Sequence, residues 1–200
     1  MKCFTASMVV CLIVAFAYAS SRAGEKVTKK AFVIPEAKQP IGFPKPGEVG
    51  QIIVKQYPLY RAARVTSDAM RQNAMFGELF QHIKQNKISM TAPVEMTYPA
   101  EGPSSMAFLY SSIEVGETGA EGKVEVVDVP PATVVSIGVR GKYTQARFDE
   151  CRSKLTDWLK EKKEQWVVAG APRYLGYNSP FVPDFLKYGE IQVPIRAHDG

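Results

Sequence analysis

A helical pattern runs directly into a strand-like pattern near the middle of this chain, and this junction constrains the fold more than any other stretch. From Asp68 to Asn86, apolar residues recur with a period close to 3.6 residues, which predicts an amphipathic helix that ends at Asn86. From Ile88 to Val94, apolar residues alternate with others, a period of two that is typical of a half-buried strand. Pro93 lacks a backbone N–H, so it indicates an edge strand or a strand end at that point.

The predicted helix has one apolar face and is preceded by capping residues. The residues of this face are Met75, Phe76, Leu79, Phe80 and Ile83. Thr66, Ser67 and Asp68 have side chains that accept hydrogen bonds from the first N–H groups of a helix. A second amphipathic helix is predicted at 145–166, after Thr144. Its apolar stripe consists of Phe148, Cys151, Leu155, Trp158 and Leu159.

Short apolar runs divide the rest of the chain into strands. Two strands are predicted around a tight turn at Pro58, and the others are predicted at 106–113, 124–129, 133–139, 173–177 and 190–195. Each half of the chain then has the order strand, strand, helix, strand, strand. Because two helices cannot cover both faces of eight strands, we expect an α+β fold. In this fold, two β-β-α-β-β repeats form a distorted antiparallel β-barrel flanked by two helices.

The first 19 residues have the layout of a cleavable signal peptide. Lys2 precedes an apolar run from Met8 to Ala17, and the small residue Ala19 offers a cleavage point. An uncleaved membrane anchor is the alternative, but the apolar run is shorter than the roughly 20 residues that a spanning helix needs. We therefore expect cleavage after Ala19, a secreted or periplasmic location, and no stable membrane insertion of the mature chain.

The mature chain is expected to be one domain preceded by an arm. Residues 20–49 contain four prolines among lysines and small residues, without a periodic pattern, which predicts an extended arm. Residues 50–196 then form the domain, and residues 197–200 form a tail. Cys151 is the one cysteine left after removal of the signal, so no intramolecular disulfide can form and the core alone holds the fold. We expect a monomer.

Several motifs resemble those of one protein family. The stretch 87–94 reads Lys-Ile-Ser-Met-Thr-Ala-Pro-Val, which resembles the K-I-x-M-T-x-P-V signature of the SOUL haem-binding proteins. Further matches follow in order at 131–134, 171–180 and 189–195. The resemblance implies a distorted barrel with two flanking helices. It also implies that haem or another tetrapyrrole is bound non-covalently in an apolar groove.

The resemblance further implies which residues would hold the ligand. Family members place haem against apolar residues of the first helix, with basic residues from that helix and from the loop before the last strand. The apolar candidates in this chain are Met75, Phe76 and Phe80, and the basic candidates are Arg71 and Lys187. An ordinary core role is the alternative for Phe76 and Phe80.

His82 is the imidazole best placed to ligate haem iron, since His198 falls in the predicted tail. A half-exposed helical histidine without a ligand is the alternative for His82. Some haem-binding members carry a histidine before the tyrosine of the first strand, where this chain has Gln56 before Tyr57. Binding would therefore depend on apolar contacts and propionate pairing, on His82, or on a sulfur such as that of Met75.

Common catalytic and nucleic-acid-binding patterns are missing from the sequence. It has no glycine-rich phosphate loop, no cysteine pair at metal-ligand spacing and no G-x-S-x-G motif. The formal net charge is +5, and basic residues alternate with acidic ones, as at 160–164, which is typical of a solvated helix face. We therefore expect neither an enzyme nor a nucleic-acid partner.

The favoured hypothesis is an exported protein that carries or buffers haem or another tetrapyrrole without chemistry. One alternative is a general small-molecule binding module, because related two-repeat barrels bind varied ligands between their halves. A less favoured alternative is a small hydrolase that uses Glu190 with Tyr174 or Tyr177.

Overall fold

The computed structural model describes residues 36–68 and 71–198. The predicted signal peptide and the first part of the predicted arm lie outside the described residues. The described chain has an α+β fold of ten strands and two α-helices. In chain order the elements are β1 (Ile52–Tyr57), β2 (Tyr60–Ser67), α1 (Gln72–Gln85), β3 (Val94–Thr97), β4 (Ser104–Leu109), β5 (Gly119–Glu121), β6 (Val124–Val129), β7 (Ala132–Arg140), α2 (Gln145–Glu161), β8 (Trp166–Val168), β9 (Arg173–Gly176) and β10 (Tyr188–Ala197), with a short 3-10 turn at Asp184–Leu186.

All ten strands belong to one antiparallel sheet, which curls without closing. The strands follow the order β1-β7-β10-β9-β3-β4-β2-β6-β5, and β8 pairs with β10 beside this path. Because β1 and β5 are the two ends of the path, the barrel expected from the sequence is an open, curled sheet. α1 packs on β2, β4 and β6, whereas α2 packs on β7 and β10. The predicted pair of flanking helices is therefore confirmed.

The strand order shows how the two repeats are assembled. The first repeat is β1, β2, α1, β3 and β4, and the second is β6, β7, α2, β9 and β10. In each repeat the second strand pairs with the fourth, and the fourth pairs with the third. The third strands, β3 and β9, pair with each other and join the halves. The first strands are exchanged: β1 pairs with β7, and β6 pairs with β2. This exchange explains why β1 and β2 do not pair with each other across Pro58.

Each helix buries one apolar face against its own half of the sheet. α1 contributes Met75, Leu79 and Ile83 to a cluster that includes Val65 and Phe108 of the sheet. α2 contributes Phe148, Cys151, Leu155 and Leu159 to a second cluster with Val135, Ile191 and Val193. Burying a side chain of this size stabilises a fold by about 1.5–3 kcal/mol relative to leaving it exposed. The two helix faces therefore anchor the two halves of the core.

The helix ends agree with the sequence prediction at some points and differ at others. Asn86 follows the last residue of α1, and its N–H donates to the His82 carbonyl, which confirms the predicted end. α2 begins after Thr144, whose hydroxyl accepts the Arg147 N–H at 3.3 Å. The predicted caps of α1 at 66–68 are wrong because β2 continues through Ser67. α2 also ends earlier than predicted, since the chain turns after Glu161 to form β8.

The strand predicted to begin at Ile88 begins instead at Val94. The Ile88 N–H donates to the Ile83 carbonyl of α1, and the Ala92 N–H donates to the Lys38 carbonyl. The backbone of this stretch is thus hydrogen-bonded to α1 and to the segment of residues 36–50, and not to a neighbouring strand. β3 then pairs on both sides, so Pro93 does not mark an edge strand. It marks a strand end, the other predicted alternative, because β3 begins at the next residue.

The N-terminal segment, residues 36–50, contains the second part of the predicted arm (36–49) and packs on the domain. The Phe43 ring lies edge-on to the rings of Tyr57 and Tyr60, with centroids 4.9 and 5.1 Å away. Close approach to the sheet requires glycine at position 138, where a Cβ atom would lie 2.6 Å from the Glu48 carbonyl oxygen. The segment is therefore a built part of the fold.

Candidate functional site

An apolar cavity of about 630 Å³ lies between α1, the junction after it and the loop that follows β9. Four parts of the chain meet there, and the residues that line the cavity are Glu36, Ala37, Phe76, Phe80, Met90, Thr91, Ala92, Val94, Gly176, Tyr177, Asn178, Ser179, Pro180 and Phe181. Ligand-binding cavities in proteins typically enclose about 300–1,000 Å³. The sequence predicted the helical wall of this cavity but not the wall formed by the N-terminal segment.

The helical wall is formed by two stacked aromatic rings. Phe76 and Phe80 are one helical turn apart, and their rings are nearly parallel, with centroids 6.1 Å apart and an interplanar angle of 12°. Phe76 is fixed from behind by an edge-on contact with Phe108. Phe80 is 50% exposed, so it is not an ordinary core residue. The pair offers a flat apolar surface to a planar ligand.

The facing wall comes from the loop after β9. Its shape is set by hydrogen bonds to the start of β10, where the Tyr177 N–H donates to the Tyr188 carbonyl and the Tyr188 N–H donates to the Asn178 side chain. Phe181 follows in this loop and is 94% exposed. An apolar side chain this exposed, beside an apolar cavity, is typical of a ligand-binding or interaction surface.

The third wall comes from the junction, which is tied to β4 by the side chain of Thr91. The Thr91 hydroxyl donates to the Leu109 carbonyl at 2.5 Å. Met90 and Ala92, the residues before and after Thr91, also line the cavity, and this hydrogen bond fixes their position. Met90 is half-buried and is the sulfur-containing residue of the lining.

The N-terminal segment closes the cavity through one carboxylate. Glu36 accepts the Ser179 N–H at 2.7 Å through Oε2 and the Ser179 hydroxyl at 2.6 Å through Oε1. These hydrogen bonds hold the pKa of Glu36 below its ordinary value, and the positive charge of Lys187 lowers it further. Two residues along, the Lys38 carbonyl accepts the Ala92 N–H and so ties this segment to the junction.

The other residues predicted for the ligand site lie outside the cavity lining. Met75 is buried in the core behind α1, because its side chain faces the sheet. Arg71 is the exposed residue that precedes α1. Lys187 forms an ion pair with Asp184 at 2.8 Å, and its charge acts on Glu36 at the rim. The structure thus brings Phe76 and Phe80 together at the cavity, whereas Met75, Arg71 and Lys187 lie outside its lining.

His82 faces away from the cavity of Phe76 and Phe80. It is 5% exposed, so the expectation of a half-exposed histidine is wrong. Its Nε2 atom lies 2.8 Å from the Tyr110 hydroxyl, and its Nδ1 atom lies 2.9 Å from the Glu121 carboxylate. Nδ1–H therefore donates to Glu121, and Nε2 accepts from Tyr110. Iron ligation by His82 would require one of these hydrogen bonds to break.

Burial also affects the tyrosine of this cluster. It raises the pKa of Tyr110 to about 12, and the negative charge of Glu121 acts in the same direction. Tyr110 therefore remains a neutral hydrogen-bond donor at neutral pH. A separate cavity of about 540 Å³ is lined by His82, Tyr110 and Glu121 themselves, together with residues that include Asn86, Lys87 and Glu117.

Glu190, the candidate base of the hydrolase hypothesis, is fully buried on the sheet. Its carboxylate accepts hydrogen bonds from the Gly47 N–H at 2.6 Å and from Lys55 at 2.6 Å, and it also accepts from Gln192 and two tyrosine hydroxyls. Burial raises the pKa of Tyr174 to about 12. Burial, with the charge of Glu190, also raises the pKa of Tyr177. Neither tyrosine is activated, so this network is suited to structural support rather than to hydrolysis.

Two further properties concern the described residues only. Between residues 36 and 198, apart from 69 and 70, no group of three or more histidine, cysteine, aspartate or glutamate side chains could hold a metal ion. In the same part of the chain, neither helix is long and apolar enough to cross a membrane.

Comparisons with known proteins agree with this fold and with the motifs. The family model of the SOUL heme-binding protein matches residues 49–194. No curated protein matches the sequence. Among solved structures, the EcmrR C-terminal domain superposes with a TM-score of 0.59 at 15% identity, over 74% of this chain and 98% of that domain.

Two proteins from Listeria innocua have the same fold. An uncharacterized conserved protein gives a TM-score of 0.56 at 10% identity, over 74% of this chain and 93% of its own. A hydrolase gives a TM-score of 0.54 at 10% identity, over 76% of this chain and 94% of its own. At these identities the similarity shows the fold alone.

Proposed function

Because the chain belongs to the SOUL heme-binding protein family, we propose that it binds haem or another tetrapyrrole in the cavity lined by Phe76 and Phe80. The observation that carries the proposal is the stacked pair of rings on an exposed apolar wall of a cavity of suitable size. A tetrapyrrole is flat and apolar over both faces, so ring-to-ring contact with these residues would bind it without a covalent bond.

The lining fits the macrocycle better than it fits the propionates. Apolar contacts are available from Phe76, Phe80, Met90 and Phe181. No lysine or arginine is among the described residues that line the cavity, and Lys187 is the lysine whose charge acts on Glu36 at the rim. The propionates would therefore lie at the rim, toward solvent, and not inside the apolar lining.

An axial ligand to the haem iron would come from a residue that lines the cavity and not from His82. A haem supplies an iron centre whose reactivity is tuned by its axial ligand. Met75, the sulfur ligand suggested by the sequence, is enclosed in the core, whereas Met90 lines the cavity. We propose that contacts of the macrocycle with the phenylalanines dominate the affinity and that His82 is a structural residue of α1.

The biological role that we propose is to carry or buffer the tetrapyrrole without chemical change. The lining offers one carboxylate, Glu36, and no described imidazole or thiol that could act as a catalytic pair with it. We further propose that the protein is exported after removal of residues 1–19 and that it is a monomer.

A second candidate function is the binding of other apolar small molecules. The charge of the cavity favours this function, because Glu36 is the one ionised side chain among the described residues that line it. Such a site suits a neutral or cationic apolar ligand at least as well as a dicarboxylate. The two candidates share one cavity and differ in the ligand that fills it.

A hemin titration separates the two candidates. Mature protein, residues 20–200, would be titrated with hemin and followed by visible absorption, beside free hemin and the variant Phe185→Ala. Phe185 is an exposed phenylalanine outside the cavity lining, so this variant controls for nonspecific contact with surface aromatic rings. A Soret band that saturates near one equivalent supports the tetrapyrrole proposal. A spectrum identical to that of free hemin contradicts it and favours the second candidate.

A further inference from the structure

We infer that Glu36 determines which tetrapyrroles this cavity accepts, by disfavouring ligands that carry free carboxylates at its rim. The inference rests on the proposed function, because it concerns the ligand of the same cavity. The cavity would thus prefer macrocycles whose carboxylates are few or esterified. Nothing in the family resemblance or in the fold assigns a role to this residue.

The position of Glu36 is fixed at the rim of the cavity by two short hydrogen bonds. Ser179 donates its N–H to Oε2 at 2.7 Å and its hydroxyl to Oε1 at 2.6 Å. Both donors belong to the loop after β9, which forms the facing wall. The carboxylate therefore joins the N-terminal segment to this loop and does not rotate freely into solvent.

Among the described residues, none forms a direct ion pair with Glu36 that would cancel its charge at the rim. Lys187 acts on it at longer range, and the Lys187 ammonium itself is 2.8 Å from the Asp184 carboxylate. Asp184 also lies 3.3 Å from Lys142, so the three side chains together carry a net charge of +1, which acts on Glu36 from a distance and not through an ion pair. A ligand that enters the cavity thus meets a fixed negative charge at the rim.

This negative charge has different effects on ligands that differ only in charge. Two like charges a few ångströms apart repel each other, and the repulsion is stronger where the protein displaces water. A free propionate close to Glu36 is destabilised, whereas an ester at the same position is not. The macrocycle contacts with Phe76 and Phe80 are the same in both cases. The carboxylate of Glu36 therefore affects which ligands bind and leaves the apolar contacts with Phe76 and Phe80 unchanged.

The test uses two ligands and three proteins. The ligands are hemin and hemin dimethyl ester, which share a macrocycle but differ in free carboxylates. The proteins are the mature wild type, Glu36→Gln and the control Glu161→Gln, which removes the same charge from the exposed last residue of α2. Glutamine at position 36 can still accept the Ser179 N–H and donate to its hydroxyl, so the substitution removes charge and retains the shape of the rim.

We expect Glu36→Gln to bind hemin about fivefold more tightly than the wild type, which is the effect of two unit charges about 4 Å apart in water. This gain should decrease as salt is added, because screening weakens the repulsion that the wild type retains. The affinity for the dimethyl ester should be equal in all three proteins, and Glu161→Gln should match the wild type with both ligands.

Several results would overturn the inference while leaving the proposed function intact. These are an unchanged hemin affinity in Glu36→Gln, an equal gain for hemin and its ester, a gain that does not depend on salt, or the same gain in Glu161→Gln. If none of the three proteins binds either ligand, the proposed function fails and the inference fails with it. The two failures are therefore distinguishable in one set of titrations.

Discussion

Glu95 of β3 and Arg173 of β9 form a buried ion pair across the seam between the two repeats, with 2.8 Å between Oε2 and Nη1. Burial lowers the pKa of Arg173, but the charge of Glu95 and the nearby tyrosine hydroxyls outweigh it and keep the guanidinium charged. The Tyr60 hydroxyl lies 3.0 Å from both side chains. The pair is diagonal in the register of the sheet, where Arg173 faces Thr97. The two repeats are thus joined by a polar contact as well as by backbone hydrogen bonds.

Removal of one charge from this pair should destabilise the fold strongly. We expect Glu95→Gln to lower the free energy of unfolding by about 3–5 kcal/mol, because it leaves the Arg173 charge buried without a counter-charge. Urea denaturation followed by circular dichroism measures the change. The control is Asp128→Asn, which breaks the ion pair between Asp128 and Arg61 at the surface and should have a much smaller effect. Equal losses of unfolding free energy in the two variants would show that burial does not determine how strongly the pair of Glu95 and Arg173 stabilises the fold.

Hemin binding should depend more on Phe80 than on His82. Phe80→Ala removes part of the stacked wall, and the loss of roughly half an aromatic contact corresponds to about 1–2 kcal/mol, or about tenfold in Kd. His82→Ala should weaken the packing of α1 but retain the Soret shift, because His82 bonds to Tyr110 and Glu121 away from the cavity. Absorption titrations of both variants, with folding checked by circular dichroism, compare the two effects. If His82→Ala abolishes the shift while Phe80→Ala retains it, the protein ligates haem through histidine.

Two methionines provide a matched comparison of core and cavity. Met75→Ala should cost about 2–5 kcal/mol of stability, since Met75 is 4% exposed and packs between α1 and the sheet. Met90→Ala should cost less than this, because Met90 is half-buried and already borders an open cavity. It should instead weaken hemin binding. Chemical denaturation and hemin titration of both variants test the contrast, which fails if Met90→Ala is the more destabilising change and binds hemin normally.

The sequence predicted those parts of the molecule that follow from local periodicity. The apolar face of α1 and the end of that helix at Asn86 are examples, because residues three or four apart lie side by side on a helix. The two repeats were likewise visible in the order of strand and helix patterns. The family resemblance implied that Phe76 and Phe80 contact the ligand, and their rings meet at one wall of the cavity.

What the sequence could not show are contacts between distant residues. Glu36 and Ser179 are 143 positions apart, and no periodic pattern marks either of them. The exchange of β1 and β6 between the halves is also invisible locally, since each strand looks the same whichever neighbour it pairs with. For His82, the sequence offered an iron ligand or a half-exposed histidine. It could not indicate that Tyr110 and Glu121 cover both ring nitrogens.

Export should be visible in the mass of the protein. If residues 1–19 are a signal peptide, the intact mass of protein recovered from the medium or the periplasm corresponds to a chain that begins at Ser20. The melting temperature of this protein should not change with reductant. Cys151 is buried, and burial raises the pKa of its thiol, so it has no exposed thiolate to form an intermolecular disulfide. A mass that includes Met1–Ala19 would contradict cleavage, and a reductant-sensitive dimer would contradict the inert role of Cys151.

The contact between Glu36 and Ser179 should make the stability of the N-terminal segment depend on pH. The pKa of Glu36 is lowered in the folded protein by the Ser179 hydrogen bonds, with smaller contributions from Asn178 and Lys187. A lowered carboxyl pKa stabilises the fold fully above the pKa of the unfolded chain. The stabilisation is lost as the pH falls through the lower, folded value. The effect should therefore be constant near neutral pH and disappear in the acid range, below about pH 5.

Limited proteolysis of the N-terminal segment is the suitable measurement, because the contact is at the surface and its effect is local. Cleavage within residues 36–50 should become faster on acidification in the wild type and in the control Glu161→Gln. In Glu36→Gln the cleavage rate should change much less with pH, because the titrating carboxylate is absent. A wild-type segment whose cleavage rate is independent of pH down to the onset of global unfolding would show that the carboxylate of Glu36 does not hold it. An acid response of equal size in Glu36→Gln would assign the effect to another group.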